Sequence, residues 1–197
     1  MGRKTKEPEV KSKPISTAEI EIAVAKMFNI RTHIIVPNIS WGFHFGHEMD
    51  LFVLTKSNLV KEVEIKISVS DFRADFKKWH QHKSKYVKEF YYAFPKELYD
   101  KVKDEVPEHA GIIICDRYAN GRIYARIVKN AKINSKCEKL SVDDQLKIER
   151  LGCMRIWSLK EKVLAQKKEI AELKSKIDVT KSKKNSYNCK KITDGST

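Results

Sequence analysis

Between residues 48 and 68 the chain twice alternates acidic with aliphatic side chains, as EMDLFVLT at 48–55 and VKEVEIKIS at 60–68. A period of two belongs to β-strands, in which neighbouring side chains stand on opposite faces. Lys56-Ser57-Asn58 forms a short polar turn between the two runs, so they predict a hairpin. On the first strand Glu48 and Asp50 share one face, and Met49, Leu51 and Val53 share the other. On the second, Glu62, Glu64 and Lys66 oppose Val63, Ile65 and Ile67. Any fold built on this hairpin must cover an apolar face and find a use for acids gathered on the opposite one.

The flanking segments supply the layers. Ser16 and Glu19 fit a capping box ahead of Ile20, Val24, Met27 and Phe28, which predicts an amphipathic helix over 17–29. Residues 30–36 are rich in β-branched side chains and read as a strand stopped by Pro37. A helix is expected from Asp71 to about Tyr86, with Phe72, Phe76 and Trp79 on one face. EFYYAF at 89–94 reads as a strand, followed by a short helix over 96–104. Strands over 111–115 and 122–128 flank the Asn120-Gly121 turn. A helical pattern then runs from about 140 to about 178. The order is that of an α/β fold, helices on both faces of a mixed central sheet, with a long C-terminal helix.

Charge bounds the partner class. Forty Lys and Arg against 26 Asp and Glu give a net +14, of which residues 1–16 carry +3 and residues 160–197 carry +6. Basic ends attract polyanions through counterion release, so nucleic acid is the expected partner, with lysine-rich solubility as the plainer reading. No apolar run long enough for a membrane span occurs, and the polar start MGRKTKEPEV lacks a secretory signal, so a cytoplasmic location is expected. The four cysteines form no C-x-x-C pair, which argues for free thiols; His44/His47 and His80/His82 are the only close histidine pairs.

The acids suggest a chemistry. Side chains two apart on a strand stand about 6–7 Å apart on one face. In-register pairing would therefore bring Asp50, Glu64 and Lys66 together. Carboxylate oxygens suit Mg²⁺ or Mn²⁺, which can bind phosphate at the same time. A lysine beside them can orient or deprotonate a water, or offset charge developing on phosphate. The same spacing also fits a solvent-facing strand laddered with salt bridges.

Asp50 followed by Glu64-Ile65-Lys66 resembles the D…(D/E)-x-K signature of the PD-(D/E)XK nuclease superfamily. Around it, Glu64-Ile65-Lys66-Ile67-Ser68, Asp71-Phe72-Arg73-Ala74-Asp75, Lys78-Trp79, Phe90-Tyr91-Tyr92-Ala93-Phe94-Pro95 and Gly111-Ile112-Ile113-Ile114-Cys115-Asp116 resemble the MmcB-like branch associated with DNA repair. The likeness covers about residues 17–155. It implies a restriction-endonuclease-like α-β-β-β-α-β core and a metal-dependent nuclease hydrolysing DNA, with RNA left open as a substrate. It further implies that Asp50, Glu64 and the Ile65 carbonyl bind Mg²⁺ or Mn²⁺, that Lys66 is the catalytic lysine, and that Glu21 completes the site. Glu19, already used by the capping box, and Glu48, an extra acid beside Met49, are the alternatives to Glu21.

Other residues keep two readings each. Trp41 and the His44–His47 stretch precede the first acidic strand, where an aromatic could stack on a base or cap the core. Asp71 reads as an N-cap. Asp75 either pairs with Lys78 or its neighbours or supports Lys66 and the metal's waters. Lys77, Lys78, His80 and His82, with Lys83 and Lys85, form a basic stripe that could meet phosphates or simply be solvated.

Four regions follow: a flexible basic arm over 1–15, a nuclease-like domain over 16–159, a helical extension over 160–180 and a disordered basic tail over 181–197. Ile156, Leu159, Val163, Ile170, Leu173 and Ile177 take heptad a and d positions, with Gln166 at one d. This seam could zip a homodimer through residues 156–178, or pack on the domain. A non-catalytic nucleic-acid-binding scaffold is the main alternative function, and a dimeric Holliday-junction resolvase another.

Overall fold

The computed structural model of the chain describes residues 13–39, 47–77 and 84–193. The elements follow the expected order: α1 (Thr17–Met27), β1 (Ile34–Ile39), β2 (Met49–Leu54), β3 (Val60–Ile65), α2 (Val69–Asp75), β4 (Val87–Pro95), α3 (Lys96–Val102), β5 (Gly111–Arg117), β6 (Ile123–Lys129) and α4 (Val142–Thr193). The strands form one six-stranded sheet in sequence order. β1, β2 and β3 are antiparallel neighbours, β3, β4 and β5 run parallel, and β6 returns antiparallel. The parallel steps each need a crossover, and α2 and α3 supply them.

The capping box forms as expected: Glu19 accepts from the Ser16 amide at 2.9 Å, and the Glu19 amide donates to Ser16 Oγ at 3.4 Å. α1 buries Ile20, Ala23 and Val24 against Leu51, Val53, Val63, Ile65, Tyr91, Ala93 and Ile113. These are the odd-numbered residues of the central strands, so α1 covers that face. On the other face Phe72 of α2 meets the rings of Tyr92 and Phe94 edge-on, with centroids 5.2 and 5.3 Å away. The two acids of β3, Glu62 and Glu64, are withdrawn from water, and Asp50 of β2 is half-buried.

The structure departs from the sequence-based expectations at identifiable points. β1 begins at Ile34, after Asn29 enters the left-handed region at φ 62°, and it continues through Pro37, which pairs with Leu51. Proline is tolerated there because β1 is an edge strand and its amide side needs no partner. α2 is much shorter than the expected 71–86. Ser68 caps it, accepting from the Asp71 amide at 3.1 Å, so Asp71 lies inside the helix and is not its cap. Lys77 donates its amide back to Ala74, a three-residue step that tightens and ends the last turn. Gly111 opens β5 where no side chain fits: an added Cβ would strike the Tyr91 ring and come within 2.7 Å of the Ala131 amide.

Two compact units divide the chain, Met1–Glu149 and Arg150–Thr197, with the boundary inside α4 and not at 160. Ser141 starts α4, accepting from the Asp144 amide at 3.1 Å, and Ile148 is buried in the first unit. No glycine or proline interrupts the chain from Cys153 to Thr193, so the helix runs on to Thr193 through most of the stretch expected to be a disordered tail. No helix among the described residues is long and apolar enough to cross a membrane.

Candidate active site

The β2–β3 register places Leu51 opposite Val63 and Phe52 opposite Glu62. Continued by one step, it sets Asp50 opposite Glu64 on the same face. The ladder of paired backbones stops at Leu51, and a side chain takes over: Asp50 Oδ2 accepts from the Ile65 amide at 2.8 Å. In an extended strand the N–H and C=O of one residue point to the same neighbour, so the Ile65 carbonyl faces this same gap. Asp50 is half-buried, and its Oδ1 makes no hydrogen bond among the described residues.

Lys66 follows β3 directly, and its amide donates to Ala93 O at 3.0 Å, which fixes its backbone to β4. Its ammonium lies 2.9 Å from Glu64 Oε2 and 3.1 Å from Asp75 Oδ1. Lys66 is 4% exposed, and Glu64 and Asp75 are 2% exposed. Burial penalises the ammonium, but charge and hydrogen bonding from Glu64, then from Asp75, outweigh that penalty and hold Lys66 above the ordinary lysine value. Tyr92 donates its hydroxyl to Asp75 Oδ2 at 2.7 Å. Its burial, then the Asp75 carboxylate, push the phenol above its ordinary value and keep it a neutral donor. Asp75 thus takes the supporting role toward Lys66. The chain Tyr92–Asp75–Lys66–Glu64 crosses from β4 through α2 to β3.

A second pair lies one step along the same face. His47 Nε2 is 2.7 Å from Glu62 Oε1, with both side chains withdrawn from solvent. His47 is therefore engaged with an acid of the sheet, and the other members of the expected histidine pairs, His44, His80 and His82, lie outside the described residues, as do Trp41 and Lys78. Lys77 is described and exposed.

Glu21 is half-buried on α1, the helix that covers the opposite face of the sheet. Glu19 is taken by the capping box and by Arg117, whose Nη2 lies 3.5 Å away. Glu48 is exposed.

The donors that the β2–β3 register brings to neighbouring positions are hard oxygens: the carboxylates of Asp50 and Glu64 and the Ile65 carbonyl. Among the described residues no group of three His, Cys, Asp or Glu side chains could hold a metal ion. That set fits an ion bound by one or two carboxylates and completed by water and phosphate, as Mg²⁺ commonly is, and does not fit an all-protein cage of the zinc type. A separate cleft of about 880 Å³ opens along the carboxyl ends of β3, β4 and β5; Ile67, Ser68, Glu97, Lys101, Asp116 and Arg117 are among its lining, and Asp50, Glu64 and Lys66 are not. In open α/β sheets ligands bind at that end of the strands.

A family model described as DNA repair protein MmcB-like matches residues 6–161. No curated protein matches the chain in sequence. Among solved structures, a protein of unknown function from Silicibacter pomeroyi, SPO1766, is similar with a TM-score of 0.53 and 19% identity, over 77% of this chain and 92% of that one. That likeness carries the fold, an α/β arrangement around a mixed sheet.

Proposed function

The chain belongs to the MmcB-like family of DNA repair proteins, and from that premise we propose that it is a metal-dependent nuclease of the PD-(D/E)XK type hydrolysing DNA phosphodiester bonds. The observation that carries this reading is the Asp50–Glu64 pair across a strand gap, with a carbonyl facing the same gap and a lysine ammonium at 2.9 Å from Glu64. Asp50, Glu64 and the Ile65 carbonyl would hold Mg²⁺ or Mn²⁺. When bound, such an ion lowers the pKa of a coordinated water and stabilises charge on phosphate oxygens.

The chain's own residues do the rest. Asp50 is fixed by the Ile65 amide, so its outer oxygen is aimed without further ordering. Lys66, held at 2.9 Å from Glu64 and 3.1 Å from Asp75, would bring a positive charge to the phosphate or orient the attacking water. Tyr92 anchors Asp75, and Asp75 anchors Lys66 Nζ.

One observation favours a second reading, a DNA-binding scaffold without catalysis. Lys66 occupies one oxygen of Glu64 at 2.9 Å in a buried pair, and such a pair can be purely structural. Cleavage of single-stranded, duplex, flapped, four-way and RNA molecules with Mg²⁺, Mn²⁺ or chelator separates the two. The nuclease reading expects metal-dependent cutting of a DNA substrate, lowered about a hundredfold or more in Lys66→Ala and Asp50→Asn. Wild-type protein that binds DNA and cuts none of these substrates would establish the scaffold instead.

A further inference from the structure

From Ile156 to Ile177, α4 carries an apolar seam: Ile156, Leu159, Val163, Ile170, Leu173 and Ile177, with Gln166 as the polar interruption. Each of the six apolar side chains is about half exposed, between 47% and 58%. Steps of three and four residues are those of a coiled-coil seam, and Ile or Val at a with Leu at d suits two parallel strands. The flanks of the seam name the occupant. With Ile156 at a, the e and g positions are Lys160, Lys162, Lys167, Glu169, Lys174 and Lys176, five lysines and one glutamate. The remaining acids, Glu161, Glu172 and Asp178, fall at the outer f, c and b positions.

We propose that this seam binds an amphipathic helix of another protein, whose own flanking positions are acidic, and not a second copy of this chain. Two parallel copies would set Lys162 beside Lys167 of the other helix, with Glu169 beside Lys174 as the one attraction to offset it. Two antiparallel copies would set e against e and g against g, lysine facing lysine at nearly every step. An acidic helix turns these contacts into attractions, and e and g charges are what select coiled-coil partners. Gln166 at a d position asks for a polar residue opposite, which fixes the register. A nucleic acid would satisfy the lysines but leave the seam in water. The seam therefore gives a four-way-junction resolvase no dimer.

The test uses the full chain and two synthetic helices with Ile at a and Leu at d, one carrying Glu and the other Lys at every e and g. Fluorescence anisotropy reads binding at two salt concentrations, and light scattering reads the mass of the chain alone. The acidic helix binds, its affinity falls as salt rises, the basic helix does not bind, and the chain alone is a monomer. The variant Lys160→Glu/Lys167→Glu/Lys174→Glu binds the acidic helix roughly a hundredfold more weakly, as three flanking pairs change from attraction to repulsion, and gains the basic one. Glutamate and lysine have similar helix propensities, so α4 survives the change. A chain that is a dimer by itself, a variant that binds the acidic helix as wild type does, or a seam that takes up phosphatidylglycerol vesicles while ignoring the acidic helix would each overturn the proposal.

Discussion

Asp75→Asn isolates the part of the site that the fold itself supplies. The substitution keeps the size of the side chain and an oxygen for the Tyr92 hydroxyl, now 2.7 Å away, but removes one of the two carboxylates that neutralise Lys66. Lys66 remains buried with Glu64 alone at 2.9 Å. Breaking one side of a buried ion pair costs about 3–5 kcal/mol, and the retained amide oxygen returns part of it, so a loss of about 2–3 kcal/mol is expected. With a urea m value of about 2 kcal/mol/M, the unfolding midpoint falls by about 1–1.5 M. Near-UV circular dichroism follows it, because the cluster of Phe72, Tyr92 and Phe94 rings beside Asp75 is chiral and tightly packed. The pH dependence has a definite sign. The folded-state pKa of Lys66 lies above its ordinary 10.5, so the stability it contributes is complete below 10.5 and is lost as pH rises beyond that value. The difference between wild type and Asp75→Asn is therefore constant from pH 7 to 9 and narrows above 10.5. A midpoint shift below about 0.3 M at pH 7, which is roughly 0.6 kcal/mol, would refute the assignment of Asp75 as the support of Lys66.

Three further outcomes follow from packing and burial. Phe72 is fully buried with three ring neighbours at 4.8–5.3 Å, so Phe72→Ala costs about 3–5 kcal/mol by urea unfolding and loosens Asp75 three residues on. Gly111→Ala forces the Tyr91 ring and the Ala131 amide apart and costs about 1–3 kcal/mol by the same measure; a neutral result contradicts the close approach of β5 and β4. Burial pushes the Cys115 thiol up to about 12, so at pH 8 it stays protonated and resists alkylation while exposed Cys153 reacts, a contrast that peptide mass mapping reads directly.

Much of the fold is legible in local patterns. The capping box at Ser16, the acid–aliphatic alternation of β2 and β3, the Asn120-Gly121 turn and the order of elements depend on neighbours in sequence, and the structure keeps them. What the sequence does not disclose are choices made by distant residues. Pro37 sits inside β1 because β1 is an edge, a fact set by the order of the whole sheet. α2 ends at Asp75, although basic and aromatic residues continue a helical pattern beyond it, because Ser68 sets its start and Lys77 closes its last turn. Asp75 meets Lys66, which lies at the end of β3 and outside its own helix. Its second partner Tyr92 is on another strand, and the only clue to it is a phenol in a buried run, which needs an acceptor. His47 and Glu62 likewise find each other across 15 positions. Glu21, placed by resemblance, stands on the helix over the opposite face.

Titration of Mn²⁺ into the full chain, followed by the loss of its free-ion electron paramagnetic resonance signal, tests most directly whether Asp50 and Glu64 form a cation site. The account predicts one bound Mn²⁺ per chain, binding at least tenfold weaker in Asp50→Asn, and binding retained in Lys66→Ala, where no oxygen donor is removed. No bound Mn²⁺ in the wild-type chain, or equal binding by Asp50→Asn, would contradict it.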